Sequence, residues 1–200
     1  MMTPHQIIVF RCSEVSCPNA SEATPLPPVH CHSLSFPPPT PHMTLLVTPV
    51  TTPEELQQAM ALRLRVFIHE QGFNESVETD DPNDGKPSTL HFLGRDVEQD
   101  KIVAVARCLL DESTRKAKFG RVAVLSECRG KGYGLVLMDA IEDLVRDRVD
   151  MFALSAQYDK KGFYEKCGYQ CTSDEIYLEE GAKHCWMVKS ASKAPSTSEQ

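Results

Sequence analysis

Residues 128–134 read CRGKGYG, with three glycines, an arginine and a lysine in seven positions. Glycine loses more conformational freedom on folding than any other residue, so such a run needs a backbone shape or a ligand that requires it. Its flanks limit the choice. Residues 118–125 before it have the composition of a strand. The stretch 132–148 after it carries Leu137, Ile141, Leu144 and Val145 at helical spacing. A strand, a glycine turn and a helix in that order commit the chain to a mixed α/β architecture.

Two readings fit the run itself. The glycines serve a tight turn with close helix packing, or they let several N–H groups at a helix N-terminus converge on an anion. In the second reading Gly130, Gly132 and Gly134 clear the approach, while Arg129 and Lys131 add charge-assisted contacts. The run lacks the GxxxxGK[S/T] order of a Walker A loop and does not complete a GxGxxG dinucleotide fingerprint.

The remaining chain has a readable rhythm. Residues 45–50 form a strand pattern, and Thr52, Pro53 and Glu55 supply an N-cap, a proline in the first turn and a capping-box carboxylate. The helix that follows places Leu56, Met60, Leu64 and Phe67 on one face and ends at Gly72. Glu75, Glu78, Asp80, Asp81 and Asp84 then make an acidic loop. A hairpin of residues 90–95 and 102–110 precedes the strand of the glycine unit. Beyond the helix come a strand at 151–156, a short helix at 163–166 and closing strands at 175–178 and 185–189. The strand after the helix is expected to run parallel to the one before it.

Nine of the fourteen prolines and only three charged side chains fall in residues 1–42, which are expected to be a disordered leader. The folded domain is expected over 43–190, with Met43 an alternative start, and residues 191–200 form a polar tail. A net charge of −7 and a pI near 5.5 argue against nucleic acid as a partner, since phosphate chains need clustered Lys and Arg. No run is long and apolar enough for a membrane helix. The eight cysteines contain no CxxC pair and are read as reduced, mostly buried thiols, with no metal expected. The cytoplasm is the expected location, with the nucleus left open.

The letters around the glycines say more. RVAVLSECRGKGYGLVLMDAI resembles the acyl-CoA-binding segment of the GNAT superfamily of N-acetyltransferases. The signature of that segment maps onto Arg129, Gly132 and Gly134. A second segment, GFYEKCGY at 162–169, resembles the family's FYEKxGF motif in the right order and at a suitable distance. LRLRVFIHEQGFNESVETDDPNDG, His91, LSAQ and GAKHCWM are similar to the small ElaA/YjcF-like branch.

The resemblance spans roughly residues 44–189. It implies an α/β GNAT fold, a mixed and mostly antiparallel sheet splayed at the acetyl-CoA site and flanked by helices. It also implies acetyl-CoA as co-substrate and an enzyme that acetylates a primary amine of a small molecule by direct attack in a ternary complex. A protein amine acetyltransferase and a non-catalytic acyl-CoA sensor stay open, as does a homodimer. Val122, Ala123 and Val124 would offer backbone groups to pantetheine. Arg129, Gly130, Lys131, Gly132, Tyr133 and Gly134 would hold the pyrophosphate. Gln157 stands where the family often has asparagine. Tyr164 matches the tyrosine that protonates the leaving thiolate. Some members carry a glutamate base on the strand before the glycines, but this chain has Arg121, Val122, Ala123 and Val124 there. Glu70, Glu78, His91 and His184 are the candidates for base or substrate binding, and a water chain is an alternative. The acidic stretch would favour a cationic acceptor by steering, and Glu127 is expected to be a solvated turn residue.

Overall fold

The computed structural model describes residues 45–192. The expected leader, a start at Met43, Cys12, Cys17, Cys31 and residues 193–200 all lie outside this span. Strands β1 (Leu45–Pro49), β2 (Thr89–Asp96), β3 (Lys101–Asp111), β4 (Lys116–Val124), β5 (Met151–Gln157), β6 (Gln170–Cys171), β7 (Tyr177–Glu179) and β8 (Ala182–Ser190) form one mixed sheet. Its order is β1-β2-β3-β4-β5-β8-β6, with β7 also paired to β8. Every pairing is antiparallel except β4 with β5. The helices are α1 (Pro53–Arg63), α2 (Glu75–Thr79), α3 (Tyr133–Val145) and α4 (Lys161–Lys166). Among the described residues, no helix is long and apolar enough to cross a membrane.

The centre of the sheet is covered on both faces. Val103, Ala104, Val105 and Ala106 on β3 are consecutive and all fully buried, so the alternating directions of a strand send apolar side chains both ways. Both α1 and α3 pack on β3.

The capping box of α1 forms as expected: Glu55 donates its N–H to Thr52 Oγ1 at 3.2 Å, and Thr52 donates its N–H to Glu55 Oε2 at 3.1 Å. The rest of that helix departs from expectation. The α-helix stops at Arg63, and residues Leu64–Glu70 wind as a π-helix until Gly72 ends them with φ of +74°. The buried stripe is Ala59, Leu62, Arg63 and Val66, while Leu56, Met60, Leu64 and Phe67 are only half-buried. The shift follows from Arg63, which turns inward to meet carboxylates of the acidic stretch.

In α3 the buried face is Leu137, Met138, Ile141 and Val145, and Leu144 is exposed. Glu142 is fully buried and accepts from Lys189 Nζ at 2.5 Å. Cys108, Cys128, Cys167, Cys171 and Cys185 are free thiols, buried or half-buried. Ala191, just past the expected domain boundary, is buried and donates its N–H to Asp150.

Candidate active site

The parallel pair β4–β5 opens partway along its length. Its register runs Lys116↔Met151 to Phe119↔Leu154 and stops there. Past that point β4 stays with β3 through Val105↔Ala123 and Ala104↔Val124. Strand β5 stays with β8 through Gln157↔His184. The divergence has a local cause. The β3–β4 register shifts between Val105 and Arg107, and Arg121 sits opposite that shift at φ +52°, a left-handed conformation uncommon for a side-chain-bearing residue. The separated strand ends leave Val122, Ala123 and Val124 facing a cleft of about 1030 Å³.

At one end of the split lies the glycine turn. Gly130 and Gly132 have φ of +78° and +82°, conformations that glycine adopts without steric cost. The helix that follows makes its first bonds from Leu135 and Val136 to the Gly132 carbonyl, so the preceding amides lie at its orphan N-terminus. Tyr133 turns inward, where its hydroxyl donates to Asp96 Oδ2 at 2.6 Å. Asp96 Oδ1 accepts in addition from the Glu98 and Gln99 amides, and the Tyr133 bond is the main reason its carboxyl titrates below the ordinary range. The phenol of Tyr133 thus anchors the turn to the sheet. Gly134 allows a close approach: a Cβ there would lie 3.0 Å from the Phe163 ring of α4. This contact brings α4, and with it Tyr164, against the start of α3.

The cleft gathers most of the expected residues. Val122, Ala123, Val124, Arg129, Gln157, Tyr164, Glu70, Glu78 and His184 line it; His91 and residues 130–134 do not. Tyr164 is packed edge-on against Phe163 and Tyr169, and burial pushes its phenol well above the usual tyrosine value. His184 stacks on Tyr177, and its Nδ1 lies 3.0 Å from the Ala182 carbonyl. A neutral imidazole so placed donates from Nδ1 and keeps Nε2 as its basic nitrogen.

The other three base candidates are engaged elsewhere. Glu70 forms a two-point pair with Arg129, whose Nη2 lies 2.9 Å from Oε2. Glu78 is buried between Arg63 and Arg121. His91 is buried beside Asp84, with its Nε2 3.3 Å from that residue's carbonyl, and burial lowers its pKa.

Glu78, Asp81 and Asp84 of the acidic stretch are paired with arginines, while Glu75 and Asp80 stay exposed. Arg107 Nη1 lies 2.6 Å from both Asp81 Oδ2 and Asp84 Oδ1, Arg63 reaches Asp84 at 2.8 Å, and Arg121 Nη2 reaches Asp81 at 3.4 Å. Three guanidiniums balance three carboxylates. Burial alone would raise the Asp81 carboxyl, but Arg107 and the Asn83 amide outweigh it and hold the group far below its ordinary value. Steering of a cationic acceptor by this stretch would then rest on Glu75 and Asp80. Glu127 is also paired, with Arg65 at 2.9 Å and Lys101 at 3.3 Å.

Several lining residues carried no signal in the sequence. Gln71 accepts from Gln157 Nε2 at 2.9 Å across the cleft. The β7–β8 hairpin brings Glu179, Glu180 and Lys183 into the cleft wall, tied down where Ser155 Oγ meets the Tyr177 hydroxyl at 2.7 Å and donates to Glu179 at 2.5 Å.

An open mixed sheet, split between parallel strands with a glycine turn at one end and a half-buried tyrosine beside the split, defines an α/β enzyme of the N-acetyltransferase class. The profile described as Acetyltransferase (GNAT) family matches residues 56–169, and the chain belongs to that family. Its likeness is to the ElaA/YjcF-like branch. YjcF of Bacillus subtilis, described as an uncharacterized N-acetyltransferase, is 29% identical over 137 residues, covering 68% of this chain and 93% of its own. The structure of Escherichia coli ElaA superposes with a TM-score of 0.63 at 27% identity, covering 72% of this chain and 99% of that one. An acyl-CoA N-acyltransferase from Pseudomonas aeruginosa gives 0.61 at 30% identity over the same shares.

Proposed function

We propose that the protein transfers the acetyl group of acetyl-CoA to the primary amine of a small molecule, by direct attack within a ternary complex. The observation that carries this reading is the split itself, which opens beside both Tyr164 and His184. The Val122–Val124 edge offers backbone groups to the pantetheine arm, and the amides of Gly130, Lys131, Gly132 and Gly134 receive the diphosphate with the α3 dipole behind them. A cleft of about 1030 Å³ has room for the thioester arm and a compact acceptor.

His184 Nε2 takes the proton that the amine sheds as its nitrogen bonds to the thioester carbon. When the carbon–sulfur bond breaks, Tyr164 gives its phenolic proton to the departing thiolate and recovers one from solvent. A phenol kept protonated by burial suits that role at neutral pH. The matched arginine–carboxylate set beside the cleft favours an acceptor of low net charge over a polycation.

Thiol release over a panel of amines tests the reading, alongside calorimetry with coenzyme A. Tyr164→Phe should lower kcat by about 100-fold or more and leave coenzyme A affinity within about twofold. Coenzyme A binding without thiol release from any amine would make the protein a sensor instead.

A further inference from the structure

The π-helical segment Leu64–Glu70 ends where two consecutive side chains, Glu70 and Gln71, reach opposite sides of the split. Glu70 holds Arg129 at two points, and Arg129 Nε in turn donates to the carbonyl of Val124, the last residue of β4, at 2.9 Å. Gln71 Oε1 accepts from the side chain of Gln157, the last residue of β5, at 2.9 Å. At this level β4 and β5 share no register, since their pairing ends at Phe119↔Leu154. The two side chains therefore bridge the strand ends where backbone bonds no longer do. A π-helical turn takes one residue more than an α-turn, and it closes here with the Gln71 amide on the Val66 carbonyl at 3.1 Å.

We propose that Glu70 and Gln71 form a clamp that fixes the width of the split, making both of them positioning residues that set which acyl chain fits. The proposal rests on the acyl-transfer reading of the same cleft. Neither side chain supplies or removes a proton. Partly exposed pairs of this kind add little to stability, whereas two-point guanidinium–carboxylate contacts add geometric specificity. The consequence of losing them falls on cleft geometry, where a shift of about 1 Å costs on the order of 100-fold in rate.

The test is calorimetry on the full chain with acetyl-CoA and butyryl-CoA, for the wild type and for Glu70→Gln, Gln71→Leu and Gln71→Glu. In Glu70→Gln and Gln71→Leu the ratio of acetyl-CoA to butyryl-CoA affinity should fall by about fivefold or more, with acetyl-CoA itself bound roughly tenfold more weakly. Gln71→Glu keeps an acceptor for the Gln157 amide and should stay within about twofold of wild type. An unchanged ratio in both disrupting variants overturns the clamp while leaving acyl transfer standing. Gln71→Leu, on an exposed side chain, keeps that outcome accessible if Glu70→Gln folds poorly. A wild type that binds neither thioester overturns both readings.

Discussion

Arg63 shows how one side chain can redirect an element. It is fully buried in a stripe that would otherwise be apolar, and Glu78 and Asp84 meet it there. A buried ion pair adds little net stability when complete but is costly to break, because the survivor stays charged and unpartnered. Glu78→Gln, which removes one of the three carboxylates that balance Arg63, Arg107 and Arg121 and leaves a guanidinium charge in excess, should cost about 3–5 kcal/mol in urea denaturation. A loss below about 1 kcal/mol would show that water reaches the network. Hydrophobic periodicity could not find Arg63, because the pattern counts a charged residue as outward-facing.

His91 belongs to the same cluster and has a pH signature. Burial is the main influence holding its pKa below the ordinary 6.5, against the pull of Asp84. The unfolded chain therefore binds the proton first as the pH falls. Stability from this residue is present above pH 6.5 and is lost on acidification below it. Comparing urea midpoints at pH 7.5 and pH 5.5 should show a smaller acid loss in His91→Gln than in the wild type.

At the scale of elements, local chemistry decided what could be read in advance. The capping box, the hairpin of β2 and β3, and the glycine turn each depend on a few adjacent residues with one physical job, and all three stand where their letters put them. The π-helical segment has no such local code. Its winding follows from inward-turned Arg63 and from the contacts of Glu70 and Gln71, made 59 and 86 residues away. Gly134 gives a test at this scale. Alanine there would press its Cβ to 3.0 Å from the Phe163 ring and force α4 away from α3. Gly134→Ala should cost about 1–3 kcal/mol in stability, measurable by chemical denaturation, and should weaken coenzyme A binding in calorimetry. Full retention of both would mean that α4 yields freely.

For the whole molecule, the sheet is two antiparallel halves joined by the four register pairs of β4 and β5. A ligand lying in the split touches both halves and stabilises the folded state alone. At about 100 times its dissociation constant, coenzyme A should add about 2.7 kcal/mol. That corresponds to a rise of roughly 5–10 °C in Tm for a domain of this size. Differential scanning fluorimetry checks it, and no shift would argue against the cleft as the coenzyme site. The glycine turn was legible because three closely spaced glycines build it. Most of the cleft was not, because its walls come from separate stretches that include residues 66–68, 118–121 and 179–184, brought together only by folding.

The β7–β8 hairpin carries that contrast to its consequence. Its tip, Glu179-Glu180-Gly181, lines the cleft and is moored through Ser155, while residues 130–134 of the glycine turn stand outside that lining. Under the proposed acetyl-transfer reading, a handful of exchanges at this hairpin would retune which amine is admitted without disturbing the grip on the donor. One scaffold can thereby serve many recipients.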